Sequence, residues 1–120
     1  MMASDQTIQK GGKEMTKVKI TPGACGLVTR VEATAGKRRM VTVKIDSACP
    51  NVSGMAKALG EEFNGYEICM QQPGAGPFYE YAREHFPAHG SCPSISGILK
   101  CIEAECRLAL KRPASIEFEE

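Results

Sequence analysis

Polar and apolar residues alternate through Lys17-Val18-Lys19-Ile20-Thr21, the period of a strand with one buried face. Pro22-Gly23 breaks the run. Alternation resumes from Leu27 to Ala33, where Leu27, Val31 and Ala33 oppose Arg30 and Glu32. Ala35-Gly36-Lys37-Arg38 has the composition of a hairpin turn. Val41, Val43 and Ile45 then alternate with Thr42, Lys44 and Asp46, the cleanest strand pattern in the chain. Three antiparallel strands in succession form a meander, whose apolar face needs a cover.

The second half supplies that cover. Val52, Met55, Ala56 and Leu59 fall at i, i+3, i+4 and i+7, a helical stripe ended by Gly60. Gln71 to Pro77 reads as a loop rich in Gly and Pro. Phe78 to Phe86 predicts a short helix that stops before Pro87. Pro93 to Leu110 predicts the longest helix, with Ile95, Ile98, Leu99, Ile102 and Cys106 on one face. Pro113 ends it, and Ser115-Ile116-Glu117-Phe118 alternates as a terminal strand. The expected fold class is α+β: a three-stranded antiparallel meander, extended by that C-terminal strand, with two to three helices packed on one face. Residues 1–15 are polar and aperiodic and read as a disordered tail, Met15 being a candidate start. Residues 16–120 form one domain.

Composition adds exclusions. Lys+Arg 15 against Asp+Glu 14 gives a net charge of +1, without the basic excess of a nucleic-acid or membrane-surface protein. No apolar run approaches the roughly 18 residues of a spanning helix, and the first residues lack the apolar core of a signal peptide. These features predict a soluble, cytoplasmic protein with no nucleic-acid or membrane partner. No phosphate loop, nucleophile elbow or paired-carboxylate motif stands out, so the chain reads as non-catalytic. Lys37-Arg38-Arg39 reads as a solvated turn.

The compositional outlier is cysteine: six in a chain without Trp. Without an export signal, such usage points to metal binding, redox chemistry or buried thiols. Cys25 lies in the turn Pro22-Gly23-Ala24-Cys25-Gly26. Cys49-Pro50 and Cys92-Pro93 each open an amphipathic helix. Pro suits the first helical position, which puts Cys49 and Cys92 at the N-cap, where the helix dipole favours a thiolate. A strand-1/strand-2 turn and the exit of strand 3 lie at the same end of a meander, so the topology permits three thiols to converge. Cys101 and Cys106, about 140° apart around one helix, cannot form one chelate. They read as core, as does Cys69 in its apolar setting. No Cys-x-x-Cys pair is present, so any shared site is built by the fold rather than by a local motif.

The order Cys25-Gly26, Cys49-Pro50-Asn51 and Ser91-Cys92-Pro93 resembles the iron–sulfur cluster assembly scaffold family and the TSCPD domain. It is also similar to a small prokaryotic three-cysteine family with Pro-Gly-x-Cys-Gly, Cys-Pro-Asn and Cys-Pro signatures. The resemblance covers about residues 16 to 110. It departs from these families at Leu27, where scaffolds carry an acidic residue, and at Ser94, where the TSCPD motif has Asp. It implies a zinc ion or an iron–sulfur cluster held by Cys25, Cys49 and Cys92 at one edge of the sheet. His89, three residues before Cys92, is the leading fourth ligand, and Asp46 and Cys69 are weaker ones. A protein client or cluster donor would be the partner, and a homo-oligomer is compatible with this reading. Two alternatives stand beside it. One is a thiol-redox protein using Cys49 and Cys92; the other is an interaction module whose cysteines only pack.

Overall fold

The computed structural model describes residues 15–120; the tail expected over 1–15 lies outside them except for Met15. β1 (Thr16–Ile20), β2 (Thr29–Ala35), β3 (Met40–Ser47) and β4 (Glu62–Asn64) form one antiparallel sheet in the order β1-β2-β3-β4. The expected meander is present and a fourth, short strand extends it. The register Val18↔Val31↔Ile45 and Thr16↔Ala33↔Val43 places the apolar residues of three strands on one face. Lys17, Glu32 and Lys44 line up on the other, polar face.

Four helices cover the apolar face: α1 (Pro50–Leu59), α2 (Gly65–Cys69), α3 (Pro77–His85) and α4 (Ser94–Glu105). α4 packs on β1 and β2, α1 on β3, α2 on α4 and α3 on α1. Val31, Val41, Val43, Val52, Met55, Phe78, Ile98 and Ile102 are buried at the centre. The Phe63 and Phe78 rings meet at 5.1 Å between centroids. No helix among the described residues is long and apolar enough to cross a membrane.

Three expectations are corrected. β2 begins at Thr29 rather than Leu27: the turn closes at Gly26, and Leu27 and Val28 lead out of it, the Val28 carbonyl accepting from the Ala48 N–H at 3.0 Å. α4 ends at Glu105 rather than Leu110. Arg107 turns to φ 62, its N–H donates to the Ala104 carbonyl, and the Leu108 N–H donates to the Glu103 carbonyl. That pair of bonds is a Schellman cap, with arginine where glycine is usual. Finally, residues 115–118 form no strand in this chain; they are exposed and belong to neither sheet nor helix.

Contacts at both ends of α4 fix its direction. At its start, a Cβ on Gly97 would lie 2.5 Å from Ile20 Cδ1, so only glycine allows this approach to the end of β1. At its finish, the Glu105 carboxylate accepts from Thr16 Oγ1 at 2.7 Å and from the Ala35 N–H at 2.8 Å. Between them, the buried Cys101 thiol donates to the Thr16 carbonyl at 3.3 Å. α4 therefore runs antiparallel to β1. Gly97→Ala is expected to destabilise the fold by about 1–2 kcal/mol despite alanine's better helix propensity, because the added methyl overpacks the Ile20 contact. In an Ile20→Ala background, which removes both Cδ1 and Cγ1, the cost of Gly97→Ala should shrink, and a urea-denaturation double-mutant cycle measures that coupling.

Candidate thiol site at one end of the sheet

The register Ile20↔Thr29↔Ser47 defines one end of the sheet. Three cysteine-bearing segments leave from it or return to it. The β1–β2 connection carries Cys25, the exit of β3 carries Cys49, and the start of α4, set against Ile20, follows Cys92.

Each thiol is presented differently. The Gly26 N–H donates to the Gly23 carbonyl at 3.0 Å, closing a turn that exposes Cys25. Gly23 (φ 109) and Gly26 (φ 70) take backbone conformations that side-chain-bearing residues rarely adopt, so this turn is specified by its glycines. Cys49 is the N-cap of α1 with extended backbone (φ −83, ψ 121), and Pro50 follows as the sequence predicts. Its thiol makes no capping hydrogen bond. The Cys49 N–H instead donates to Ser47 Oγ at 3.1 Å, and Ser47 Oγ lies 2.6 Å from the buried Thr29 Oγ1. This hydroxyl pair pins the Cys49 backbone to the sheet, and the half-buried side chain packs against the core without a capping bond.

Cys92 departs from its expected position. The N-cap of α4 is Pro93 (φ −86, ψ 5), whose carbonyl accepts from the Gly97 N–H at 2.9 Å. Pro93 supplies the first helical acceptor, so Cys92 stands one residue outside the helix. Its N–H donates to the His89 carbonyl at 3.3 Å, and its thiol lies 3.3 Å from Ser94 Oγ. His89 is exposed and borders, with Cys92, Tyr79, Arg83, Phe86 and Ile95, a cleft of about 280 Å³ between α3 and the entrance to α4. Asp46 is exposed near the end of β3, on its polar face. His85 stacks on Tyr81 with 4.1 Å between ring centroids.

The other three cysteines lie on α2, on α4 and at its C-cap, Cys101 buried and Cys69 and Cys106 half-buried. Cys101 is fully buried, and burial pushes its thiol up to about 11. Burial, reinforced by the neighbouring Cys106 and Glu103, pushes Cys69 up to about 12, and its thiol faces the Leu99 carbonyl at 3.9 Å. Cys106, the C-cap of α4, is raised by burial and by Glu105. The six thiols thus separate by setting: Cys25, Cys49 and Cys92 at a turn and before two helices, and Cys69, Cys101 and Cys106 on α2, on α4 and at its C-cap, where burial pushes each thiol up. The sequence missed the environment of Ser47 and Thr29, since neither belongs to a motif; their pairing across the sheet end is visible only in the register.

Among the described residues, no group of three or more His, Cys, Asp or Glu side chains is arranged to hold a metal ion. Cys25, Cys49, Cys92 and His89 share a region without meeting at one point.

Two outcomes follow from the sorting of thiols. Near neutral pH, iodoacetamide should label Cys25, Cys49 and Cys92 well before Cys69, Cys101 and Cys106, as peptide mass spectrometry would read out. In alkali, the Cys101 contribution has a defined sign. Its folded-state value of about 11 exceeds the ordinary 9.0, so the stabilisation is complete below pH 9 and is lost as pH rises toward 11. Cys101→Ala should therefore flatten the fall in urea midpoint over that window, whatever its effect at neutral pH.

No curated protein and no solved structure matches the chain. One family model does, and it spans residues 16–118, nearly all of the described chain and all six cysteines. The chain therefore belongs to DUF6951, a family of unknown function.

Proposed function

We propose that the protein is a non-catalytic, thiol-ligating protein of the reducing cytoplasm. It takes up a zinc ion or an iron–sulfur cluster through Cys25, Cys49 and Cys92. The observation that carries this reading is the placement of these three cysteines on segments at one end of the sheet, while Cys69, Cys101 and Cys106 lie on α2, on α4 and at its C-cap with thiols pushed up by burial. Thiolates are the preferred donors for both metal species. The donor chemistry fits; the resting placement keeps the sulfurs apart. Binding would then draw the exposed Gly23–Gly26 turn onto Cys49 and Cys92. His89, in the loop before Cys92, or a donor from a client protein completes the coordination. A site finished only on binding suits transfer to a client or from a cluster donor rather than a permanent structural role.

A second reading is favoured by one observation: Cys49 sits at the positive end of a ten-residue helix with its sulfur free of any cap bond. In that reading Cys49 and Cys92 exchange thiols and disulfides without metal.

Anaerobic purification, elemental analysis and an absorption spectrum separate the two. The expected result is stoichiometric zinc, or visible sulfur-to-iron absorption. Cys25→Ser, Cys49→Ser and Cys92→Ser should each weaken metal retention at least about tenfold, while Cys101→Ser leaves it intact. Protein that stays metal-free with excess zinc under reducing conditions, or that keeps its metal in all three variants, overturns the first reading. A Cys49–Cys92 disulfide forming readily in metal-free protein establishes the second.

A further inference from the structure

The C-terminal segment beyond α4 carries a strand pattern with no strand partner. Ile116 is 89% exposed and Phe118 fully so, and Glu117 and Glu119 alternate with them. In an extended segment this places two large apolar side chains on one side and two carboxylates on the other. Isolated apolar residues on a surface are ordinary, but an amphipathic strand with its apolar side in water needs a partner.

The sheet offers a matching edge. Among the described residues, β1 is the first strand in the order, hydrogen-bonded to β2 on one side only. Its polar side presents Lys17 and Lys19, both exposed. Its apolar side carries Val18, which stays half-buried where Thr16 and Ile20 are buried. Lysines on an edge strand deter indiscriminate pairing, and for the same reason they favour a strand bearing carboxylates. Adding residues 115–119 beside β1 would set Ile116 and Phe118 next to Val18 on the core side. It would set Glu117 and Glu119 next to Lys17 and Lys19 on the polar side. The alternation matches whichever way the added strand runs.

We infer that residues 115–119 add as a strand to the β1 edge of a second copy of this chain, giving a reciprocal two-fold dimer. The tail and the edge it complements are on the same polypeptide, so two copies satisfy each other by one exchange and the assembly closes. Residues 109–120 are exposed throughout, so the segment is not laid on its own sheet and is available to another. The thiol site takes no part in this exchange.

Size-exclusion chromatography with light scattering on the full chain, over a concentration series, provides the test. The expected mass is twice that of the chain. Ile116→Ser/Phe118→Ser should give a monomer with an unchanged circular dichroism spectrum in its helical bands, since neither side chain belongs to the core. Lys17→Glu/Lys19→Glu should also give a monomer, and adding Glu117→Lys/Glu119→Lys to that variant should restore the dimer. A monomeric wild-type chain overturns the inference, as does a dimer that survives Ile116→Ser/Phe118→Ser. Failure of the four-fold charge exchange to restore the dimer likewise overturns it, because the pairing of these two segments requires that rescue.

Discussion

The placement of α4 across β1 and β2 is the constraint on which the rest of the structure depends. A glycine allows one end of the helix to approach Ile20, and a glutamate ties the other end to Thr16 and Ala35. Between those ends Cys101 donates to a strand carbonyl, so even the buried sulfur has a polar partner. Steric fit at one end and charge-assisted hydrogen bonds at the other allow only one direction for the helix. Because that direction is fixed, the loop bearing Cys92 returns to the end of the sheet where Cys25 and Cys49 lie. Reversing α4 would carry Cys92 to the opposite end, and no three-thiol region would exist.

The same architecture divides the cysteines by chemistry. A thiol buried against apolar side chains and carboxylates stays protonated, because the charged form loses its hydration and gains unfavourable neighbours. Cys69, Cys101 and Cys106 are in that position. Cys25 is held in water by a glycine turn, and Cys49 is held at a helix start by backbone bonds that leave its sulfur unused. The Thr29–Ser47–Cys49 connection ties the start of α1 to the end of the sheet through two side-chain hydroxyls.

The fold and the site were legible in the sequence to different degrees. Val41, Val43 and Ile45 were readable because alternation at period two leaves few other structures open to them. Val52, Met55 and Leu59 were readable because a helical stripe followed by Gly60 marks both face and end, and Gly60 does cap α1 with φ 79. The end of α4 was not readable, since the left-handed position of its cap is filled by Arg107 and not by glycine. The β2–β3 hairpin has the same character, with Arg38 and Arg39 at positive φ. There the cost is offset by tertiary contacts: the Arg39 carbonyl accepts from the Gly65 N–H, and its guanidinium lies 4.5 Å from the centre of the Tyr66 ring. β4 and α2 escaped notice because each is too short to show a period.

Taken alone, the sequence determined the strand and helix patterns, the alternation of the tail, and the division of cysteines between turns or helix starts and apolar runs. Those are local properties, set by side-chain periodicity and by the fixed φ of proline and the freedom of glycine. The tertiary structure decided which ends meet, that Cys92 stands outside its helix while Cys49 caps one, and that the accessible thiols share a region without closing on a point. It also decided that the tail is left without a strand partner beside an open sheet edge. These outcomes rest on contacts between residues far apart in the chain, such as Gly97 with Ile20 and Glu105 with Thr16, and no local pattern encodes them.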